Sequence, residues 1–124
     1  MDAQIEEAAN KLIGAAIEVH RHLGPGYLES VYEEALSVEL ALRGIPACRQ
    51  VAFGLEYKGH VIGEGRLDFL VNDNLIVELK AVDALAPIHT AQCISYLKAN
   101  HHRLALLINF NVPVLKDGIK RIAL

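Results

Sequence analysis

The stretch RLDFLVNDNLIVELKAV, residues 66–82, constrains this chain more than any other. Two short apolar runs flank the polar turn Asn72–Asp73–Asn74, which predicts a β-hairpin. Successive side chains on a strand point to opposite faces. Glu78 and Lys80 therefore share one face of the second strand, and Val77, Leu79 and Ala81 take the other. On the first strand Arg66, Asp68 and Leu70 share a face. A hairpin centred on Asp73 sets Asp68 opposite Glu78 and Arg66 opposite Lys80, with facing Cβ atoms about 5 Å apart. Two carboxylates that close repel unless a positive charge stands between them. A divalent cation meets that need, since Mg²⁺ is commonly held by one or two carboxylates and completes its shell with water and phosphate oxygens. Lys80 could then orient an attacking water or stabilise charge that develops on phosphate. The plainer alternative is an amphipathic hairpin with Asp68, Glu78 and Lys80 on its wet face. Helices over both faces of an α/β sheet leave less room for that alternative.

The rest of the chain predicts such helices. Ile5, Ala8, Ala9, Leu12, Ala16, Val19 and Leu23 follow helical spacing over residues 3–23, and Gly24–Pro25–Gly26 stops the pattern. A second helix is expected from about Leu28 to Arg43, with Leu28, Val31, Ala35, Val38 and Leu42 on its apolar stripe; Gly44 and Pro46 end it. Val51, Phe53 and Leu55 alternate as a strand, Tyr57–His60 turns, and strands follow over 61–71 and 75–81. Pro87 opens a third helix running to about Lys98. RLALLINF, residues 103–110, is continuously apolar, as a strand buried on both faces would be. Residues 111–124 read as an edge strand or a tail. The order is α-α-β-β-β-α-β, a single α/β domain over 1–124 with a mixed β-sheet flanked by helices. A chain of 124 residues is the right size for one such core.

Composition narrows the setting. Cys48 and Cys93 are in no CxxC or CxxH spacing, which argues against zinc and for a reducing, cytoplasmic location. The longest apolar runs are about five residues, far short of a bilayer span, and the acidic start MDAQIEEAANKL is unlike a signal peptide. A net charge of −3 makes no global case for a polyanion partner. Residues 87–124 differ, with Asp117 the one acid against Lys98, Arg103, Lys116, Lys120 and Arg121. That basic third reads either as a contact for nucleic acid or as a solvated face. The apolar LLINF strand, if its edge is exposed, would favour a homodimer.

Asp68, nine intervening residues, then Glu78-x-Lys80 across a hairpin resembles the core signature of the PD-(D/E)xK nuclease superfamily. GYLESVY at 26–32 matches GxxExxY, the pattern that names a family of small proteins within it. AAIEVHRHLGPG, HTAQCISYLKA and LLINF are similar to the same family, so the resemblance covers nearly the whole chain. Leu67, not Pro, precedes Asp68. The resemblance implies a PD-(D/E)xK nuclease-like fold and a metal-dependent nuclease using Mg²⁺ or Mn²⁺ on DNA or RNA. It makes Glu29, Asp68 and Glu78 the metal ligands and Lys80 the catalytic lysine. Glu29 otherwise reads as a charge favourable to a helix N-terminus. Glu33, one turn on, reads as surface. On the third helix His89, Gln92 and Tyr96 share a face. A Gln-x-x-x-Tyr helix after the E-x-K strand resembles RecB-like members of the superfamily, in which Gln and Tyr touch nucleic acid. Gln92 and Tyr96, with Tyr32 of the GxxExxY pattern, are thus the expected substrate contacts, although Tyr96 also reads as a core aromatic. The competing function is a non-cutting nucleic-acid-binding or protein-interaction module on the same fold. His20, His22, His101 and His102 read as surface or helix-end residues, Gly63–Gly65 as a bulge or bend, and Cys93 as a packed thiol. Ser30 and Ser37 have no base in a recognisable arrangement.

Overall fold

The computed structural model describes residues 2–124. Helices α1 (Ala3–Leu23) and α2 (Glu29–Leu42) are followed by strands β1 (Ala47–Tyr57), β2 (His60–Val71) and β3 (Leu75–Lys80), helix α3 (Pro87–Asn100), strand β4 (Leu104–Asn109), a 3₁₀ turn (Leu115–Gly118) and strand β5 (Ile119–Ala123). The five strands lie in sequence order in one sheet. Only β3 and β4 are parallel, joined through α3; every other neighbouring pair is antiparallel. The observed order extends the expected one by β5, because the tail pairs along β4 from Ile119 to Ala123. Gly118 makes this turn workable: a Cβ there would collide with the Asn109 carbonyl. β4 thus lies inside the sheet with all six residues buried. LLINF offers no edge, and that route to a homodimer is closed.

Two apolar clusters hold the layers together. One face of the sheet carries Phe69, Val71, Leu75, Val77, Leu79, Leu104, Leu106 and Ile108 against α1 and α2. The other carries Leu67, Ile76, Ala105, Leu107 and Ile122 against Cys93 and Leu97 of α3. α1 begins on an Asp2 cap whose carboxylate accepts from the N–H groups of Gln4 and Ile5. Half of its buried residues are alanines, which lets the helix lie close to its neighbours. α2 departs from expectation. Its buried residues are Tyr32, Leu36 and Leu40, while Leu28, Val31, Val38 and Leu42 face outward. Tyr32 decides the rotation: its ring stacks on Phe110 at 4.6 Å between centroids, and its hydroxyl donates to the Gly24 carbonyl at 2.6 Å. His20 is also buried, its Nε2–H donating to the Val112 carbonyl at 2.8 Å, so it ties α1 to the loop after β4. His101 caps α3 in the left-handed conformation, as a helix-end residue should. The register jump of β1 and β2 falls where Leu55 and Glu56 face Gly63 and Val61, leaving Ile62 as the extra residue. Gly65 has a different task, since a side chain there would strike the Phe53 ring.

Candidate active site

The β2–β3 hairpin turns through Asn72 and Asp73, both at positive φ, a region that Asn and Asp tolerate better than most residues. From there the ladder pairs Val71 with Leu75, Leu70 with Ile76 and Phe69 with Val77, and then ends. Asp68 and Glu78 are the next facing pair, as a hairpin centred on Asp73 requires. Their side chains replace the missing backbone bonds. The Asp68 N–H donates to Glu78 Oε2 at 2.7 Å, and the Leu79 N–H donates to Asp68 Oδ2 at 2.8 Å. Beyond this point the strands no longer pair, so Arg66 does not face Lys80. It lies exposed, its guanidinium donating to the Gln50 carbonyl at 3.4 Å.

The same row is irregular on the other side of β2. The pairing of β1 with β2 passes from Arg49–Phe69 to Val51–Leu67, and Gln50, beside Asp68, has φ of 50°. Leu67 and Phe69 would share a face in a regular strand, yet they fall in the two opposite core clusters. β2 therefore turns about its axis at Asp68. The carboxylate occupies an opening in the sheet rather than a place in a uniform ladder.

Glu78 is almost fully buried and Asp68 partly so. Burial, with Asp68 beside it, pushes the Glu78 carboxyl up to about 8 against the lowering effects of the Asp68 N–H and Lys80. Asp68 is raised by burial and opposed by the Leu79 N–H bond and the Lys80 charge. Glu29, on the first turn of α2, is raised by partial burial and by Asp68, and lowered by Lys80. The structure thus brings Glu29, Asp68, Glu78 and Lys80 within reach of one another's charge. None of the salt bridges among the described residues involves Lys80.

The second ring of residues differs from expectation. Glu33 is not a bare surface group. It accepts from Arg49 at 2.7 Å and from Gln50 Nε2 at 2.6 Å, and Gln50 also reaches Asp68 Oδ1 at 3.5 Å. Glu33 and Gln50 escape a reading along the sequence because they meet only once β1 lies beside α2. Asn109 is a third such residue. Buried at the end of β4 beside Lys80, its amide donates to the Val82 carbonyl and accepts from the N–H groups of Val82 and Asn111. It pins the chain that leaves Lys80 for α3.

The expected substrate contacts separate. Tyr32 is fully buried and its hydroxyl is engaged with the Gly24 carbonyl and the Tyr27 N–H, so it cannot touch a ligand from this position. Tyr96 borders the cluster: its ring meets Phe53 edge-on at 5.0 Å, and burial together with Glu78 and Asp68 raises its hydroxyl. Gln92 is exposed and stands beside that hydroxyl. His89 caps α3, its Nδ1 accepting from the Ala86 N–H at 3.0 Å. Cys93 is a packed thiol, pushed up to about 12 by burial and by Glu78. The basic third is dispersed. Arg121 pairs with Glu6 toward α1, and Lys98 and Arg103 lie near the opposite end of β4 from Asn109. Lys120 alone shares the row of Glu78, two strands away through Leu107.

An all-oxygen donor set of raised carboxylates fits a hard dication such as Mg²⁺ or Mn²⁺, whose charge would offset their repulsion. Among the described residues no three His, Cys, Asp or Glu side chains gather closely enough to hold an ion unaided. Asp68 and Glu78 are the inner pair, and Glu29 stands outside it. A cavity of about 640 Å³ lies beside Lys11, Arg43 and Asn72 and touches none of these acids. No described helix is long and apolar enough to cross a membrane.

A family model described as the PD-(D/E)XK nuclease superfamily matches residues 6–122. Neither the curated proteins nor the solved structures gave a match.

Proposed function

The chain belongs to the PD-(D/E)XK nuclease superfamily, and from that premise we propose that it is a metal-dependent nuclease hydrolysing phosphodiester bonds of DNA or RNA. The observation that supports this most is the Asp68–Glu78 pair, which interrupts the β2–β3 ladder with Lys80 two residues further along β3. A buried carboxylate pair replacing backbone hydrogen bonds destabilises a sheet, and costs of this kind cluster at functional sites. Asp68 and Glu78 would hold Mg²⁺ or Mn²⁺, with Glu29 completing the acidic side of the site. When bound, such an ion supplies Lewis acidity toward a phosphate oxygen and makes a coordinated water more acidic.

This chain's own groups do the rest. Lys80 holds its ammonium beside the phosphate and stabilises charge that develops there. Gln50 steadies Asp68 and Glu33, and Asn109 fixes the backbone after Lys80. Gln92 and Tyr96 form the rim on the α3 side. The GxxExxY spacing at Gly26, Glu29 and Tyr32 supports a place among the GxxExxY proteins, with Glu29 on the site and Tyr32 in the core. The two free thiols, Cys48 and Cys93, support a reducing, cytoplasmic setting.

One observation favours a non-cutting module: Asp68 and Glu78 each already accept a backbone N–H, and no third ligand joins them among the described residues. Incubation of purified protein with DNA and RNA in Mn²⁺ or Mg²⁺ separates the readings. Cleavage that falls at least a hundredfold in Lys80→Ala supports the nuclease. Equal cleavage by the variant assigns the activity to a contaminant, and calorimetry showing no Mn²⁺ binding supports the module.

A further inference from the structure

Helix α2 carries a second apolar stripe that is largely exposed, only its central Ala35 also touching the core. Leu28 at its N-cap, Val31, Val38 and Leu42 are 76 %, 37 %, 58 % and 77 % exposed, with half-buried Ala35 between them. Their spacing is the alternating three-and-four step of a helix–helix seam. The helix already fills the core with Tyr32, Leu36 and Leu40 from another part of its circumference. Exposed apolar side chains are ordinary when scattered singly. A row of this length along one helix is a surface shaped to receive another helix.

The order of sizes along the row selects the partner. Read from either end, it runs Leu, Val, Ala, Val, Leu. A second copy of α2, antiparallel and related by a two-fold axis beside Ala35, sets Leu28 against the partner's Leu42, Val31 against the partner's Val38, and Ala35 against its own equivalent. The small residue at the centre lets the two backbones approach. The acids bordering the row are already neutralised, Glu34 by Arg49 and Glu39 by Arg43. The face therefore neither attracts a charged partner such as nucleic acid nor repels its own copy. We propose that α2 forms the interface of a two-fold homodimer, in which the row from Leu28 to Leu42 packs antiparallel against the same row of a second chain.

The row exposes roughly 400 Å² a side, so the pair would bury about 800 Å², the size of a weak, transient association. The dimer should therefore dissociate on dilution. Glu29 and Glu33 project from a different side of α2, toward Asp68 and Arg49. Dimerisation leaves the acidic cluster open, and the proposal stands or falls independently of the nuclease reading.

Sedimentation equilibrium of the full chain, from micromolar to near-millimolar concentration, tests it. The wild type should show a reversible monomer–dimer equilibrium, and Val38→Glu should weaken it at least tenfold, about 1.4 kcal/mol. Leu42→Glu, at the exposed end of the helix, carries the same test if Val38→Glu fails to fold by circular dichroism. In a Cys48→Ser background, mixed Leu28→Cys and Leu42→Cys chains should form an interchain disulfide faster than either chain alone. A wild type that stays monomeric overturns the proposal. So does a dimer that survives the glutamate variants, or one in which Leu28→Cys chains link mainly to each other.

Discussion

The two halves of the β2–β3 hairpin are built on opposite principles. Next to the turn, Val71, Leu75, Leu70, Ile76, Phe69 and Val77 pair through their backbones, and most are fully buried. One row further on, Asp68 and Glu78 replace the ladder with carboxylate-to-amide bonds, β2 turns about its axis, and three acids have raised affinities for protons. The first half lowers the free energy of folding by burying apolar area. The second raises it by holding like charges in a poorly solvated place. A stretch of 17 residues, 66–82, thus contains both a buried apolar part of the sheet and a part whose charge repulsion a proton or a bound cation would relieve.

The largest effect expected from breaking this contrast is on the closed half. Phe69→Ala should lower stability by about 3–5 kcal/mol, measured by urea unfolding, because it empties a fully buried site. A loss under about 1 kcal/mol would show that the closed half is not what holds the sheet.

The open half should respond to pH. Glu78 binds its proton up to about 8 in the fold but only up to about 4.5 when unfolded. Between those values the folded state holds more protons, so its stability falls as pH rises, and the contribution is fully present only below the lower value. Metal-free wild type should lose on the order of 2–4 kcal/mol from pH 4.5 to 8 through this group. Glu78→Gln should flatten that slope and abolish Mn²⁺ binding. Slopes that coincide in melting curves of the two proteins would remove the electrostatic argument for the site. Mn²⁺ should also bind more tightly as pH rises through the same window, with release of protons.

Lys80→Ala should change stability by less than about 1 kcal/mol yet lower cleavage about a hundredfold, roughly 2.7 kcal/mol in the barrier. Parallel melting and rate measurements check whether the two effects separate, and a variant that simply unfolds would place Lys80 in the structure instead. The smallest effect is expected at Gln50. Its positive φ strains any residue with a side chain, so Gln50→Gly should gain up to about 1 kcal/mol where Gln50→Ala does not. Equal melting temperatures for the two would mean that the irregularity beside Asp68 stores no strain.

The closed half was plain in the sequence and the open half was plain only in part. Apolar periodicity located α1, α2 and β1, the Asn72–Asn74 turn set off β2 from β3, Pro87 opened α3 and an unbroken apolar run marked β4, because each signal lies within a few residues of itself. Asp68, Glu78 and Lys80 stood out as charges in an apolar run. The face of α2 could not be read, since both its stripes are apolar and the choice rests on Tyr32 meeting Phe110 from the far end of the chain. Glu33, Gln50 and Asn109 were hidden for the same reason: each owes its role to a partner on another element. His20 looked like a surface residue until the loop at Val112 folded over it.

A crystal grown at pH 8 and soaked in Mn²⁺ tests the central claim most directly. The account predicts an anomalous peak bonded to both Asp68 and Glu78, at about 2.0–2.2 Å from their oxygens, with Lys80 alongside. Crystals in which manganese binds elsewhere, or in which the two carboxylates keep their backbone hydrogen bonds with no metal between them, would contradict it.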